Sequence, residues 1–157
     1  MPVETETNTW GEYKSDVTLE EKVMVALVKA SELFKKDSDA VFKNYGLTFS
    51  QYNVLRVLNN SKNGQNTVTM ASKIMLVSSP NMTGIAKRLE KSGLIIRKSD
   101  MHDERVTLLE ITPKGKKILE NIKAAHYGNI SGYLKSFTEG GKTRILEDLK
   151  RIFRKAD

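Results

Sequence analysis

The segment from Thr67 to Thr112 constrains the fold most, because two short helix-like patterns are followed there by two strand-like ones. In its centre, Met82, Ile85 and Leu89 recur at helical spacing, which predicts the buried face of a helix. The opposite side is small and polar near the start of this helix and basic near its end (Asn81, Thr83, Gly84, Lys87, Arg88 and Lys91). Such a side is typical of a solvated helix, and equally of a helix that lies in a DNA major groove.

Both ends of this helix have recognisable signals. Ser78 or Ser79 is predicted to accept from the first free backbone N–H groups. Pro80 suits the first turn, where its missing donor costs nothing. Gly93 follows the last turn, where a left-handed C-cap is expected. The helix is therefore expected between Ser79 and Ser92.

A two-stranded ribbon is expected after the helix. Leu94–Lys98 and Val106–Ile111 are rich in β-branched residues with partial alternation, which predicts two strands. The connection from Ser99 to Glu104 is too polar for a core. A shorter helix, capped by Thr67, is expected before Ser79, and residues 59–66 are expected to be a loop. The whole segment is predicted to be a helix-turn-helix with a hairpin wing.

The rest of the chain is predicted to be helical. Thr18 and Thr48 are followed three residues later by Glu21 and Gln51, the pattern of a capping box. Two more helices are expected after Thr112, so the fold class is mainly α with a small β-hairpin wing. The predicted divisions are an N-terminal arm (1–17), a first dimerisation helix (18–46), a winged helix-turn-helix domain (47–112) and C-terminal dimerisation helices (113–157).

The outer helices are expected to pack against a second copy of the chain, because their apolar faces have no obvious partner within one compact domain. A twofold homodimer would place two copies of the polar helix on successive major grooves, about 34–36 Å apart. In the arm, Trp10 and Tyr13 either dock on another surface or belong to a partly ordered tail.

Charge is distributed unevenly along the 157 residues. The net charge is +7, yet residues 1–21 carry six of the 19 acidic residues and one of the 26 basic ones. A basic body suits a polyanionic partner, either nucleic acid or an anionic membrane surface. The absence of cysteine excludes disulfides, thiolate metal sites and thiol redox sensing.

No cofactor, metal site or enzyme activity is expected from the motifs. The sequence has no glycine-rich phosphate loop, no His-Glu-x-x-His and no Gly-x-Ser-x-Gly, and its two histidines lie at no metal-ligand spacing. The N-terminus lacks the basic and apolar regions of a signal peptide. No apolar run reaches membrane-spanning length. A cytoplasmic location and no membrane partner are therefore expected.

The charged hairpin carries the most specific motifs. The segment from Arg97 to Gly115 contains Asp103-Glu104-Arg105 and Ile111-Thr112-Pro113-Lys114-Gly115. It resembles the wing of MarR-family transcription regulators. Residues 77–83 and 88–95 resemble that family's recognition helix and its end, and residues 48–55 resemble its second helix. The resemblance covers about residues 19–153 in the same order, although Gly84 stands where many relatives have arginine or another long polar residue.

The resemblance implies a homodimeric repressor that binds a pseudo-palindromic operator in double-stranded DNA. It implies that the recognition helix reads bases and that Arg105 enters the minor groove, held by Asp103 through a charge-assisted hydrogen bond. The predicted base readers are Ser79, Asn81, Met82 and Thr83, and the predicted phosphate contacts are Lys87, Arg88 and Arg97.

A small aromatic or phenolic effector is also implied by the resemblance, with Phe34, Tyr52, Arg56 and Tyr127 as candidate lining residues. Each of these residues alternatively belongs to the core or the ordinary surface. Two other classes of protein compete with the DNA-binding regulator. One is a winged helix used only for protein contact, and the other is an enzyme that dimerises through a winged helix, which would need a nucleotide-binding domain.

Overall fold

The computed structural model describes residues 17–154, which contain six α-helices, a short 3₁₀ turn and three β-strands. The helices are α1 (Leu19–Lys43), α2 (Phe49–Asn59), α3 (Val68–Met75), α4 (Ser79–Lys91), α5 (Pro113–Leu134) and α6 (Glu139–Phe153). The strands are β1 (Gln65–Thr67), β2 (Ile95–Ser99) and β3 (Thr107–Ile111), and the 3₁₀ turn is Lys62–Gly64. The predicted class, mainly α with a small β wing, is confirmed. The predicted arm with Trp10 and Tyr13 lies outside the described residues, except for Val17.

The chain divides into two compact units between Lys36 and Asp37. In the first unit, the hydroxyl of Thr18 accepts from the backbone N–H of Glu21 at 3.2 Å, which is one of the two hydrogen bonds of the capping box predicted for the start of α1. The large apolar side chains that this unit exposes are Leu19, Val23, Met24, Val28 and Leu33. At helical spacing Leu19, Val23 and Leu33 share one side of α1, and Met24 and Val28 lie on another, so exposed apolar side chains occupy more than one face of this helix.

Threonine caps begin four helices of the second unit. At α2 the predicted capping box is complete, because Thr48 accepts from the Gln51 N–H at 3.2 Å and Gln51 accepts from the Thr48 N–H at 2.9 Å. At α3, α5 and α6 the hydroxyls of Thr67, Thr112 and Thr138 accept from the backbone N–H three residues later, without the reciprocal hydrogen bond of a capping box. Each such cap stabilises its helix by about 1 kcal/mol.

The three strands form one antiparallel sheet in the order β1-β3-β2. The hairpin of β2 and β3 lies within one residue of its predicted position, but β1 falls in the segment predicted to be a loop. The loop prediction is wrong at Gln65 and Asn66, which pair with β3 as part of a short, polar strand that has no strand-like sequence pattern. Gln65 pairs with Glu110 in the ladder, and its side-chain amide donates to the Glu110 carboxylate at 2.9 Å.

The core of the second unit forms around α2, whose Val54, Leu55 and Leu58 are fully buried. Side chains from the other elements complete it, namely Phe42, Ala71, Met82, Ile85, Ala86, Leu89, Ile95, Leu109 and Ile122. Close packing extends to the start of α5, where a Cβ on Gly115 would lie 2.3 Å from the backbone oxygen of Leu94. Only a glycine permits this approach.

The last two helices are less buried than the core elements. Helix α5 ends at Leu134. It is joined to Asp37–Lys43 of α1 by two side-chain contacts, from Asn129 to the buried Ser38 at 3.1 Å and from Tyr133 to Asp37. Helix α6 has no buried side chain. No helix between residues 17 and 154 combines the length and apolar character that crossing a bilayer requires.

Candidate nucleic-acid interface

Helix α4 has one buried face and one exposed face. Met82, Ile85, Ala86 and Leu89 are buried against the core. The prediction that Met82 reads bases is therefore wrong, because its side chain is fully enclosed and fixes the helix to the domain instead. Its spacing from Ile85 and Leu89 had already placed it on the inner face.

The outer face of α4 is polar and cationic. Ser79, Asn81, Lys87 and Arg88 are exposed, and Thr83 is half-exposed. The Thr83 hydroxyl donates to the backbone carbonyl of Ser79 at 3.0 Å. Its remaining capacity is to accept a hydrogen bond and to present its methyl group, for example to a thymine.

The turn between α3 and α4 exposes the start of α4. Leu76 adopts the left-handed conformation at φ 52° and ends α3. The cap predicted from Ser78 or Ser79 is not formed, because the Ser78 hydroxyl makes no capping hydrogen bond and Ser79 is already the first residue of α4. Pro80 lies in the first turn as predicted. The first backbone N–H groups of α4 are therefore left to donate to another acceptor. A helix N-terminus with such N–H groups favours the binding of a phosphate.

A side-chain contact ties the end of α4 to the wing. The Glu90 carboxylate accepts from Arg97 Nε at 2.7 Å and from the backbone N–H of Arg97 at 3.3 Å. Hydrogen bonding by the Arg97 side chain lowers the pKa of Glu90 below its ordinary value. Because Nε is occupied, the two terminal nitrogens of Arg97 are the donors left for a further acceptor.

The tip of the wing is organised by two aspartates. Asp100 accepts from the backbone N–H groups of His102 at 2.8 Å and Asp103 at 3.3 Å. Asp103 accepts from the backbone N–H of Arg105 at 2.9 Å. The resemblance implies a contact of Asp103 with the Arg105 guanidinium, but that pair is not among the ion pairs formed within residues 17–154, and the carboxylate binds the main chain instead. The Arg105 side chain remains exposed.

The candidate effector residues lie in different surroundings. Tyr52 is a core residue, stacked on Phe42 with ring centroids 4.1 Å apart. Arg56 and Tyr127 are exposed, and Tyr127 has 70 % of its surface accessible. Phe34 belongs to the first compact unit and is half-buried.

His126 joins this aromatic cluster, a role that the sequence did not indicate. Its ring lies 4.9 Å from the rings of both Phe42 and Tyr52. Burial, and then the positive charge of Arg56, lower the pKa of His126. Burial raises the pKa of Tyr52, and Arg56 opposes that rise. Arg56 therefore acts electrostatically on an aromatic cluster that joins α2 to α5.

A helix-turn-helix with an exposed polar second helix and a strand-built wing defines a winged-helix, DNA-binding transcription regulator. The family model described as "Transcriptional regulator SarA/Rot" matches residues 36–122. The chain belongs to this family of MarR-like transcription regulators, which confirms the family predicted from the sequence.

Similarity to individual proteins supports this assignment. The chain is 30 % identical to the HTH-type transcriptional regulator MhqR of Bacillus subtilis (strain 168) over 135 residues, which cover 84 % of this chain and 92 % of that one. The structure of Sco5413, a MarR family transcriptional regulator from Streptomyces coelicolor, is 26 % identical, with a TM-score of 0.77 over 87 % of this chain and 94 % of that one. Sco3205 from the same organism, solved in complex with DNA, is 20 % identical, with a TM-score of 0.80 over 92 % of each chain.

Proposed function

We propose that this regulator binds a pseudo-palindromic DNA operator as a homodimer and represses transcription there. The observation that carries the proposal is the two-faced character of α4. Its apolar face is buried in the core, and its outer face presents small polar groups followed by cations. A helix fixed in this way can enter a major groove without rearrangement of the domain.

In this proposal the first half of α4 reads bases. Ser79, Asn81 and Thr83 lie within its first two turns with polar groups that suit base edges, as in other recognition helices. The unoccupied N–H groups at the start of the helix bind a phosphate. Sequence preference then comes from Asn81 above all, because an amide can donate to and accept from one adenine.

Phosphate contacts fix the position of the domain on the duplex. Lys87 is an exposed cation in the second half of α4, and Arg97 is held beside that helix by Glu90. Arg105, at the wing tip, enters the flanking minor groove, where a narrow groove attracts a guanidinium. Asp103 positions Arg105 through the main chain.

The homodimer is proposed from the apolar side chains left exposed in each unit. In the second unit, α6 exposes Ile145, Leu146, Ile152 and Phe153 while burying none of its side chains. In the first unit, α1 exposes large apolar side chains of its own. Large contiguous apolar surfaces mark interfaces. Residues 18–46 and 113–157 therefore supply the dimerisation helices, and residues 47–112 bind DNA.

An effector is proposed near the Tyr52 and His126 cluster. Arg56 supplies an exposed cation beside aromatic rings, which suits an aromatic carboxylate. Benzoate is expected to raise the melting temperature and to release the operator. Cyclohexanecarboxylate has the same charge without the aromatic ring and is the matched control. Equal effects of both acids would contradict aromatic recognition.

Operator binding is tested by gel shift on the DNA that flanks the protein's own gene, with excess unrelated competitor DNA. A competitor-resistant complex of one dimer per site is expected, with the dimer mass checked by light scattering. Weak binding that is independent of sequence would contradict the proposal and favour a protein-contact module. Affinity is also expected to fall steeply with salt, because phosphate contacts release counterions.

A further inference from the structure

The guanidinium of Arg88 lies over Gly84, one turn earlier in α4. Side chains on a helix lean toward its N-terminus, so a long side chain covers the turn before its own Cα. A Cβ built on Gly84 would lie 3.9 Å from Nη2 of Arg88. The charged end of Arg88 is therefore beside the first half of α4, although its Cα is in the second half.

Arg88 also keeps its donors available. Among the ion pairs formed within residues 17–154, none includes Arg88, whereas Glu90 already holds Nε of Arg97. Arg88 is exposed, and the residue beneath its guanidinium has no side chain. The planar guanidinium of Arg88, with its fork of N–H donors, thus faces outward from a part of the helix with few neighbouring atoms.

We propose that Arg88 is a base-reading residue that donates to O6 and N7 of a guanine in the major groove, and that Gly84 leaves the room for that base edge. This inference rests on the proposed operator binding and replaces the phosphate contact predicted for Arg88. Guanine is the base whose two neighbouring acceptors match the donor fork of arginine. Lys87, which lacks such a fork, remains the phosphate contact.

The space above Gly84 allows a second test, in which a side chain is added at that position. At 3.9 Å, a methyl group would only touch the guanidinium, so Gly84→Ala leaves Arg88 in place. A longer side chain in Gly84→Gln would occupy the gap and displace either the guanidinium or the base. Gly84→Ala is thus the matched control for Gly84→Gln, since both replace the helical glycine.

The experiment selects duplexes of about 25 base pairs, enough for two half-sites, from a randomised library with the full-length protein. Each base pair of the selected consensus is then replaced in turn and the affinity is measured. For the unaltered protein, replacing one symmetry-related guanine per half-site is expected to weaken binding about 5- to 150-fold. With Arg88→Ala that penalty is expected to disappear. With Lys87→Ala, affinity falls for every sequence and the penalty stays.

Arg88→Lys separates base reading from charge. The lysine keeps the positive charge but loses the bidentate fork, so the guanine penalty should shrink while nonspecific affinity is retained. Gly84→Gln should reduce the penalty with Arg88 still present, and Gly84→Ala should not. Circular dichroism and light scattering check that each variant folds and dimerises. Because Arg88 is exposed, its replacement is expected to leave the fold intact.

The possible failures are distinguishable. If Arg88→Ala, or Arg88→Lys should the alanine variant misfold, keeps the full guanine penalty, Arg88 does not read the base and the proposed function stands. A loss of affinity that is uniform across sequences would restore the phosphate role and overturn the inference. If the unaltered protein selects no consensus at all, operator recognition fails and this inference fails with it.

Discussion

Replacing Gly115 with alanine should destabilise the domain through a contact with the main chain. Gly115 is the third residue of α5, and a Cβ there would lie 2.3 Å from the backbone oxygen of Leu94 and 2.8 Å from Cγ1 of Ile111. Real Cβ atoms essentially never approach another atom closer than 3.0 Å, so α5 and Leu94 would have to separate by at least 0.7 Å. A backbone oxygen cannot move away by changing rotamer.

The separation would also disturb the hydrogen bonds that begin α5. The Leu94 oxygen accepts from the N–H of Thr112 at 3.0 Å, and the Thr112 hydroxyl donates to the Gly93 oxygen at 2.8 Å. Overpacking costs about 1–3 kcal/mol. The weakened cap adds about 1 kcal/mol to this loss of stability, and the better helix propensity of alanine offsets about the same amount. The net loss in free energy of unfolding is therefore about 2 kcal/mol.

Gly128→Ala is the matched control, because it lies in the same helix and a Cβ there meets no atom within 4 Å. It should stabilise the protein by up to about 1 kcal/mol. Urea unfolding followed by circular dichroism, at one protein concentration because a dimer is expected, measures both variants. If Gly115→Ala were at least as stable as the unaltered protein while Gly128→Ala behaved as expected, the steric reasoning would be refuted.

Three further predictions concern a helix cap, the wing and a buried histidine. Thr48→Ala should lower the free energy of unfolding by about 0.5–2 kcal/mol, because it removes the capping box of α2, and an unchanged urea midpoint would contradict this. Arg105→Ala should weaken operator binding by about 1–3 kcal/mol in a gel shift without affecting the dimer, and unchanged affinity would exclude the wing from recognition. Since the pKa of His126 is lowered in the folded state, the unfolded chain binds its proton more readily and stability should fall as the pH drops below about 6.5. His126→Phe should lose less stability than the unaltered protein between about pH 7.5 and pH 5.5, and equal losses in urea unfolding would argue against the lowered pKa.

The parts of the fold that depend on neighbouring residues could be predicted from the sequence. The caps at Thr18, Thr48 and Thr67 bind groups three residues away, so the signal and its structure are adjacent in the chain. Gly93, at φ +71°, marks the end of α4 because a side chain is disfavoured in that conformation. The buried face of α4 likewise follows from helical spacing.

The parts that depend on distant contacts could not be predicted. Strand β1 is polar and short, and its hydrogen-bonding partner lies more than 40 residues away, so no local pattern marks it. The packing of His126 against Tyr52 joins two helices that the sequence separates widely. Nor did spacing reveal that Glu90 would hold Arg97. The sequence showed Gly115 as part of a motif. It did not show that a glycine is required there because the backbone oxygen of Leu94 lies too close for a Cβ.

The turn at Asp100 has a consequence for the thermodynamics of binding. Its carboxylate holds two main-chain N–H groups of the wing tip, so the backbone before Arg105 is ordered before DNA is present. Ordering a flexible loop at the moment of binding costs conformational entropy, and a loop already ordered avoids that cost. The acidic tip thus combines mild repulsion from phosphate with a smaller entropic penalty. Replacing Asp100 would transfer that penalty from folding to association, where calorimetry would register it as a less favourable binding entropy.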